Sequence, residues 1–389
     1  MEKVRYGIIG VGNQGTNYSC EIFDAGKAVD SELVAICDTN PAKIEAIKGK
    51  LKNTNPEYFD DYKKMLDAGI CDVILVETPH YDHPEIVIEC LNRGINVICD
   101  KPAGVYTKHV KEMNAVAEKS KATFGMMFNQ RTNCLYRKMK ELIKNGEIGE
   151  IQRVTWVITN WFRTQYYYDS GSWRATWAGE GGGVLINQCP HQLDLVSWVV
   201  GMQPKSVNGF CHYGKWHDIE VEDDVTAYFE YENGATGMFV TTTGEAPGTN
   251  RFEVSGTGGR HICDGNSLKL IKNKVDSKEW LLTSNQGFKK PDTEEIDVET
   301  DGLNLQHAGI INNFTAALLG KEELFVDGKE GINGVELMNA IELSGWKGGV
   351  RVELPVNEDE YLAELNKRRA TSRLKVVDES KVADTKGTF

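Results

Sequence analysis

No apolar run in this 389-residue sequence approaches the roughly 18 residues that a membrane-spanning helix needs, so no transmembrane segment is expected. There is no C-x-x-C pair, and the nine cysteines are odd in number and scattered, which argues against a disulfide framework. Cys211, His212 and His217 match no common zinc spacing and lack a second ligand pair, so no metal site is expected. Basic residues are outnumbered 44 to 57, for a formal charge of −13. Without a basic cluster the chain has no face for neutralising phosphates, which excludes nucleic acid as an expected partner and disfavours an anionic membrane surface. The first ten residues enter a strand pattern at once. No signal peptide is therefore expected, and the compartment read from the sequence is the cytoplasm.

The length exceeds what one hydrophobic core usually serves, so two domains are expected. Residues 3–128 alternate between short apolar runs (4–9, 33–37, 73–76, 96–99, 123–128) and amphipathic stretches (14–26, 41–51, 60–68, 83–93, 107–119). Continuous apolar strands spaced by helices predict a doubly wound parallel sheet, covered on both faces, with ligands at the carboxyl ends of its strands. After residue 129 the rhythm changes. A helix (134–145) and a strand (151–161) lead into an aromatic-rich stretch, the run Gly181-Gly182-Gly183, and a helix over 184–200. Alternating strands follow at 206–213, 225–231, 235–242, 251–255, 261–264 and 268–271, then helices near 307–319 and 329–345 and a strand at 350–354. The expectation is a Rossmann-type α/β domain over 1–128 and an α+β domain over 129–356 with a large, mainly antiparallel open sheet. A charged extension follows at 357–389, with one short helical stretch, either mobile or wrapped on a neighbouring subunit. Both faces of the second sheet carry apolar residues, among them Val225, Ala227, Phe229, Met238 and Val240. That pattern predicts a homo-oligomer, dimer or tetramer, packed through the open sheet.

Gly10-Val11-Gly12-Asn13-Gln14-Gly15 follows the first strand and opens a helix. Three glycines serve a tight turn, close approach to a pyrophosphate, and helix–strand packing, with the phosphate charge on free N–H groups. Asp38 ends the second strand, 23 residues past Gly15, where a carboxylate accepts ribose hydroxyls and repels a 2′-phosphate. Residues 39–42 offer no arginine, so NAD is expected over NADP. Thr78, Pro79, His80 and His83, at the end of the strand over 73–76, join Asp100, Lys101 and Asn129 as candidate cofactor contacts.

Together, these motifs and Asp100-Lys101-Pro102 resemble the Gfo/Idh/MocA family, named for glucose-fructose oxidoreductase and inositol dehydrogenase, whose E-K-P signature appears here as D-K-P. The resemblance extends through Phe128-Asn129-Gln130-Arg131, Gly146-Glu147-Ile148-Gly149, the segment 181–194 and Val221-Glu222-Asp223-Asp224, and covers nearly all of residues 4–355. It implies a pyridine nucleotide, a sugar, cyclitol or glycoside substrate, and catalytic residues drawn from both domains. A lysine at position 101, just past a buried strand, suits stabilisation of an alkoxide while hydride leaves. The family's aspartate and histidine, four residues apart, match Asn187 and His191. An amide takes no proton, so His191, whose imidazole titrates near neutrality, inherits the proton.

The segment 161–177 holds Trp161, Tyr168, Trp173 and Arg174 in a density of aromatics that fits neither strand nor helix periodicity. Aromatic faces with polar neighbours suit carbohydrate rings, and these four residues, with Arg131, Lys101, Asn187 and His191, form the expected substrate set. The functional expectation is NAD-dependent oxidation of a secondary hydroxyl, the 3-hydroxyl of a glycoside among the candidates. Two alternatives remain: glycoside cleavage in which NAD stays bound and cycles, and a non-catalytic ligand sensor.

Overall fold

The computed structural model describes residues 3–373 and 375 and divides into two compact units. The first takes the chain up to Thr132 together with Leu305–Val335; the second takes Asn133–Asn304 and the chain from Glu336 on. Of the C-terminal extension, residues 374 and 376–389 lie outside the described residues.

The first unit is a six-stranded parallel sheet in the order β3-β2-β1-β4-β5-β6. Its strands are β1 (Val4–Ile9), β2 (Ser31–Cys37), β3 (Glu57–Phe59), β4 (Val73–Val76), β5 (Asn96–Cys99) and β6 (Phe124–Met126). All four residues of β4 are buried, as a strand with helices on both faces requires. Because β1 pairs with both β2 and β4, the strand order reverses there, and the crevice of a doubly wound sheet opens at that switch point. Helix starts follow capping chemistry: Asn40 accepts from the Ala42 N–H before Pro41–Lys48, and Asp61 from the Lys63 N–H before Tyr62–Asp67. β3 has no counterpart in the hydrophobic pattern, being a three-residue edge strand with no buried residue.

The returning stretch Leu305–Val335 brings the helix Gln306–Leu318 onto this unit, burying Ile310, Ile311 and Phe314. Thr315 Oγ1 hydrogen-bonds the Tyr6 hydroxyl at 2.7 Å and the Ser31 hydroxyl at 2.9 Å. A Cβ at Gly125 of β6 would sit 2.9 Å from the Phe314 ring, so the missing side chain is what admits the ring.

The second unit carries nine strands: β7 (Ile151–Ile158), β8 (Ser206–Tyr213), β9 (Glu222–Glu230), β10 (Thr236–Thr242), β11 (Asn250–Gly256), β12 (Gly259–Asp264), β13 (Ser267–Asn273), β14 (Thr293–Asp297) and β15 (Val352–Glu353). Their order is β14-β13-β12-β11-β7-β10-β9-β8-β15. The β7–β10 pair alone runs parallel. On one face Trp156 is fully buried, stacked on Phe252 at 4.2 Å and close to Tyr136 of the helix Cys134–Lys144. The opposite face leaves Phe210, Tyr228 and Met238 at 51%, 39% and 42% exposure, with Tyr228 and Met238 directly paired across β9 and β10. β14, Thr-Glu-Glu-Ile-Asp, is exposed throughout. Its polar edge position leaves no apolar alternation for a sequence reading to find.

The helix expected over 184–200 is two helices, Val184–Asn187 and Pro190–Val200. Pro190 has no N–H to give to residue 186, and the Cys189 N–H reaches back five residues to the Val184 carbonyl. Asn187 and His191 therefore belong to successive helices and do not share one continuous face. All nine cysteines are free thiols.

Candidate functional site

In the first unit the turn after β1 is closed by backbone contacts that only glycine tolerates. Gly10 has φ +96°, and a Cβ there would lie 2.5 Å from the Glu77 carbonyl oxygen; one at Gly15 would lie 2.0 Å from the Gly10 oxygen. Gly12 is different. A Cβ there meets nothing within 4 Å, so its backbone borders open space at the start of the helix Asn13–Asn17. This open cradle fits a dinucleotide's pyrophosphate. The Asp38 carboxylate beside it accepts from the Val11 and Asn40 N–H groups, both at 2.9 Å, and Lys43 lies 3.6 Å away. The sequence reading, intent on arginine, passed over Lys43. Gln14 Nε2 lies 3.2 Å from His307 Nε2.

At the carboxyl ends of β4 and β5, the parallel register that pairs Val76 with Cys99 sets Glu77 next to Asp100. Both Glu77 carboxyl oxygens and the Thr78 hydroxyl are buried without hydrogen-bond partners among the described residues. Burial, then the adjacent Asp100 charge, push the Glu77 carboxyl well above the ordinary range, and Lys101 opposes them. The Asp100 carboxylate accepts from the Lys101 N–H at 2.8 Å. Burial lowers His307 to about 4. His83 is buried, its Nδ1 2.8 Å from the Pro102 carbonyl and its Nε2 2.7 Å from the Thr78 carbonyl, which ties the two strand-end loops together. His80 is buried with its ring 6.0 Å from that of His83, and Pro79 is exposed. The Asn129 amide donates to Gln306 at 2.5 Å. Arg131 is buried and ion-paired with Glu330 at 2.6 Å.

In the second unit the glycine run is set by two glutamates. A Cβ on Gly183 would lie 2.0 Å from the Glu222 carbonyl oxygen, and one on Gly182 would lie 2.8 Å from Glu342 Oε1. The Glu222 carboxylate caps the following helix, accepting from the Gly183 N–H at 2.9 Å and the Leu185 N–H at 3.0 Å. Both glutamates are fully buried. Burial raises Glu222 to about 7 despite those N–H bonds, and burial and the Glu222 charge hold Glu342 well above the usual range. The Tyr361 hydroxyl donates to Glu342.

Asn187 Oδ1 accepts from Gln188 Nε2 at 2.9 Å and the Tyr167 hydroxyl at 3.3 Å, and its Nδ2 donates to Glu180. Glu180 also accepts the N–H of Ala175, which sits at φ +51°. Arg174 donates to the Tyr167 hydroxyl at 2.8 Å and lies over the Tyr167 and Trp173 rings. Arg163 lies over the ring of Tyr167 at 5.2 Å and that of Trp161 at 5.9 Å. Tyr168 turns inward, donating to Thr243 Oγ1 at 2.8 Å. His191 is 8% exposed, in the first turn of Pro190–Val200. The second unit thus joins Asn187 with Arg174 through Tyr167, a residue the sequence reading missed, as it missed Glu180, Glu222, Glu342 and Glu77.

Family models match most of this framework: the oxidoreductase-family NAD-binding Rossmann fold over residues 4–128, and the GFO/IDH/MocA C-terminal domain over residues 136–262. The chain belongs to the Gfo/Idh/MocA family. Among curated members, D-glucoside 3-dehydrogenase of Escherichia coli is 28% identical over 247 residues, covering 59% of this chain and 68% of that one. Rhizopine catabolism protein MocA of Rhizobium meliloti is 26% identical over 204 residues, 52% of this chain and 59% of that one. The match thus spans 68% and 59% of these two relatives' own length. Among solved structures, the WlbA dehydrogenase of Bordetella pertussis, in complex with NADH and UDP-GlcNAcA, matches with a TM-score of 0.75. It is 27% identical, over 91% of this chain and 100% of that one. Among the described residues no helix is long and apolar enough to cross a membrane.

The glutamate pair carries a pH signature. Glu222 is raised from 4.5 to about 7 in the folded protein, so between those values the folded state holds a proton that the unfolded chain has released. Stability therefore falls as pH rises through that window, by up to about 3 kcal/mol. Glu342→Gln retains an acceptor for Tyr361 and removes one of the two titrating carboxyls. Its apparent Tm, followed by circular dichroism from pH 5 to 8, is expected to fall less than that of the parent chain.

Proposed function

We propose that the chain is an NAD-dependent dehydrogenase acting on a secondary hydroxyl of a sugar, glycoside or cyclitol, with the 3-hydroxyl of a glycoside as the first candidate. The observation that carries the reading is an edge of one sheet. The open Gly12 cradle follows β1 and Lys101 follows β5, at the same carboxyl ends of a parallel sheet. A glucoside dehydrogenase and an NADH-bound dehydrogenase among the named relatives support it.

Gly10, Gly12, Asn13, Gln14 and Gly15 would hold the pyrophosphate, Asp38 the ribose, and Thr78, Pro79, His80, Asp100 and Asn129 the remainder. When bound, the cofactor supplies the hydride acceptor. Lys101 stabilises the developing alkoxide by donating to it, and His191 takes the hydroxyl proton. Asn187 orients by hydrogen bonding, since an amide takes no proton. Trp161, Trp173 and Arg174 are read as sugar-contacting residues, with Tyr167 added because it touches Asn187. Tyr168 and Arg131, engaged with Thr243 and Glu330, are read as supports for that surface. His83, with carbonyls on both ring nitrogens, is read as holding the cofactor loops in place.

A panel of sugars and glycosides with NAD⁺ tests this by the rise in NADH absorbance. Lys101→Ala and His191→Ala are each expected to lower kcat about 10²- to 10⁴-fold, with NADH affinity unchanged in the His191 variant. The reading fails if no panel member reduces NAD⁺, whether added or already on the purified protein.

NAD over NADP is proposed from the Asp38 charge. Asp38→Ser is expected to shrink the NAD⁺/NADP⁺ ratio of kcat/KM by about tenfold, or 1.4 kcal/mol. An unchanged ratio would leave selection to other groups.

The nine free thiols suit a reducing, cytoplasmic setting, and the exposed Phe210–Tyr228–Met238 face suits a homo-oligomer built through the open sheet. Light scattering on Tyr228→Glu/Met238→Glu, expected to drop the mass to 43.4 kDa, tests the latter; an unaltered assembly rejects it.

A further inference from the structure

Residues 356–373 and 375 lie beyond both family-model matches, yet they are packed onto the second unit. Asn357 Oδ1 accepts the Glu360 N–H and caps the helix Glu358–Ala370. Acidic residues fill the first turn of that helix and Lys367, Arg368 and Arg369 the last, the arrangement that complements its dipole. The helix buries Tyr361 and Leu365. The Tyr361 ring stacks on Trp346 at 5.1 Å, and Trp346 meets Trp177 edge-on at 5.6 Å. The helix therefore touches the aromatic segment through one intervening ring.

Beyond its end, the contacts become direct. Ser372 Oγ donates to Glu220 Oε1 and accepts from the Ala178 N–H at 3.0 Å. The Arg373 N–H donates to Glu220 Oε2 at 2.8 Å, and its guanidinium pairs with Asp218 at 2.6 Å. Glu220 Oε1 also accepts from the Trp177 N–H at 2.7 Å. Lys375 Nζ donates to the Tyr168 carbonyl at 3.1 Å. Its half-buried ammonium faces Asp169, Glu180, Glu220 and Asp218. The stretch 161–180 contains one five-residue helix, Gln165–Asp169, and no strand. With so little ladder or helix bonding of its own, its conformation depends on outside contacts.

We propose that Ser372 and Arg373, clamped on Glu220, are positioning residues that hold the aromatic segment in its substrate-binding shape and so set affinity for the sugar. The inference rests on the function proposed above, in which this segment receives the carbohydrate. The clamp acts from outside the site: it touches neither Asn187 nor His191, and it bears on binding rather than on proton transfer.

Two readouts test it on the full chain, on Ser372→Ala, and on a chain ended after Thr371. Hydrogen–deuterium exchange over 163–180 is expected to accelerate in both variants, with exchange over β1 and β4 unchanged. KM for the oxidised sugar is expected to rise about tenfold, with kcat and KM for NAD⁺ within about twofold and with Ser372→Thr restoring the parent value. Unaltered exchange over 163–180 in both variants overturns the proposal whatever the substrate. An unaltered sugar KM in a variant whose segment has loosened overturns it too. If the shortened chain does not fold, Ser372→Ala, which leaves the helix and Tyr361 in place, carries both measurements. A full chain that oxidises no sugar defeats the function proposed above, while the exchange result still decides the clamp.

Discussion

Gly183 lies so close to strand β9 that a single methyl group on it would overlap the Glu222 carbonyl, and the second unit is arranged around that approach. The same glutamate turns its carboxylate back onto the N–H groups of Gly183 and Leu185, so one residue fixes both the depth of the glycine run and the start of the next helix. A buried carboxylate is costly unless its oxygens are satisfied, and these N–H groups satisfy Glu222. Its buried neighbour Glu342, held above the usual carboxylate range by burial and the Glu222 charge, accepts the hydroxyl of Tyr361. Upstream of the run, Glu180 holds Asn187 and the backbone of Ala175; downstream, Pro190 starts the helix of His191. Asn187 and His191, two of the groups proposed to handle the sugar, thus follow directly on that backbone contact.

Much of the fold could be read from residue pattern, because the signals are local. The apolar runs of β1, β4 and β5 gave their strands to the residue, and the glycines at 10 and 15 announced a turn whose steric demands the structure bears out. Pro190, which has no N–H to give, splits one expected helix in two. What escaped notice had no local signature. β14 is polar along its whole length because it sits at an edge, and no shift in composition marks where residues 305–335 rejoin the first unit. The partners that hold that segment, Tyr6 and Ser31, are some 280 to 310 residues away.

The site was legible to a lesser degree, and for a related reason. Lys101 and His191 stand in short motifs, whereas the other groups described in each unit owe their place to tertiary packing. Tyr167 and Tyr168 are adjacent in sequence, but the one-turn helix they share sends Tyr168 inward to Thr243 and Tyr167 to Asn187; nothing in a run of three tyrosines chooses between them. Glu77 is similar. It looks like an ordinary residue at a strand end until the register of β4 and β5 sets it against Asp100.

The parallel pairing of β7 with β10 also bears on how the chain is made. Thr236 pairs with Arg153 and Asn250 with Ile158, so β7 receives its two neighbours from chain that emerges roughly 80 to 100 residues later. A nascent chain leaves the ribosome with this strand finished and both of its edges bare. An unpaired edge flanked by Trp156 is a template for wrong pairing, and closing so long a loop slows the right one. The second sheet therefore starts with a longer wait than the first, where β1 meets β2 after about 27 residues and β4 after about 67.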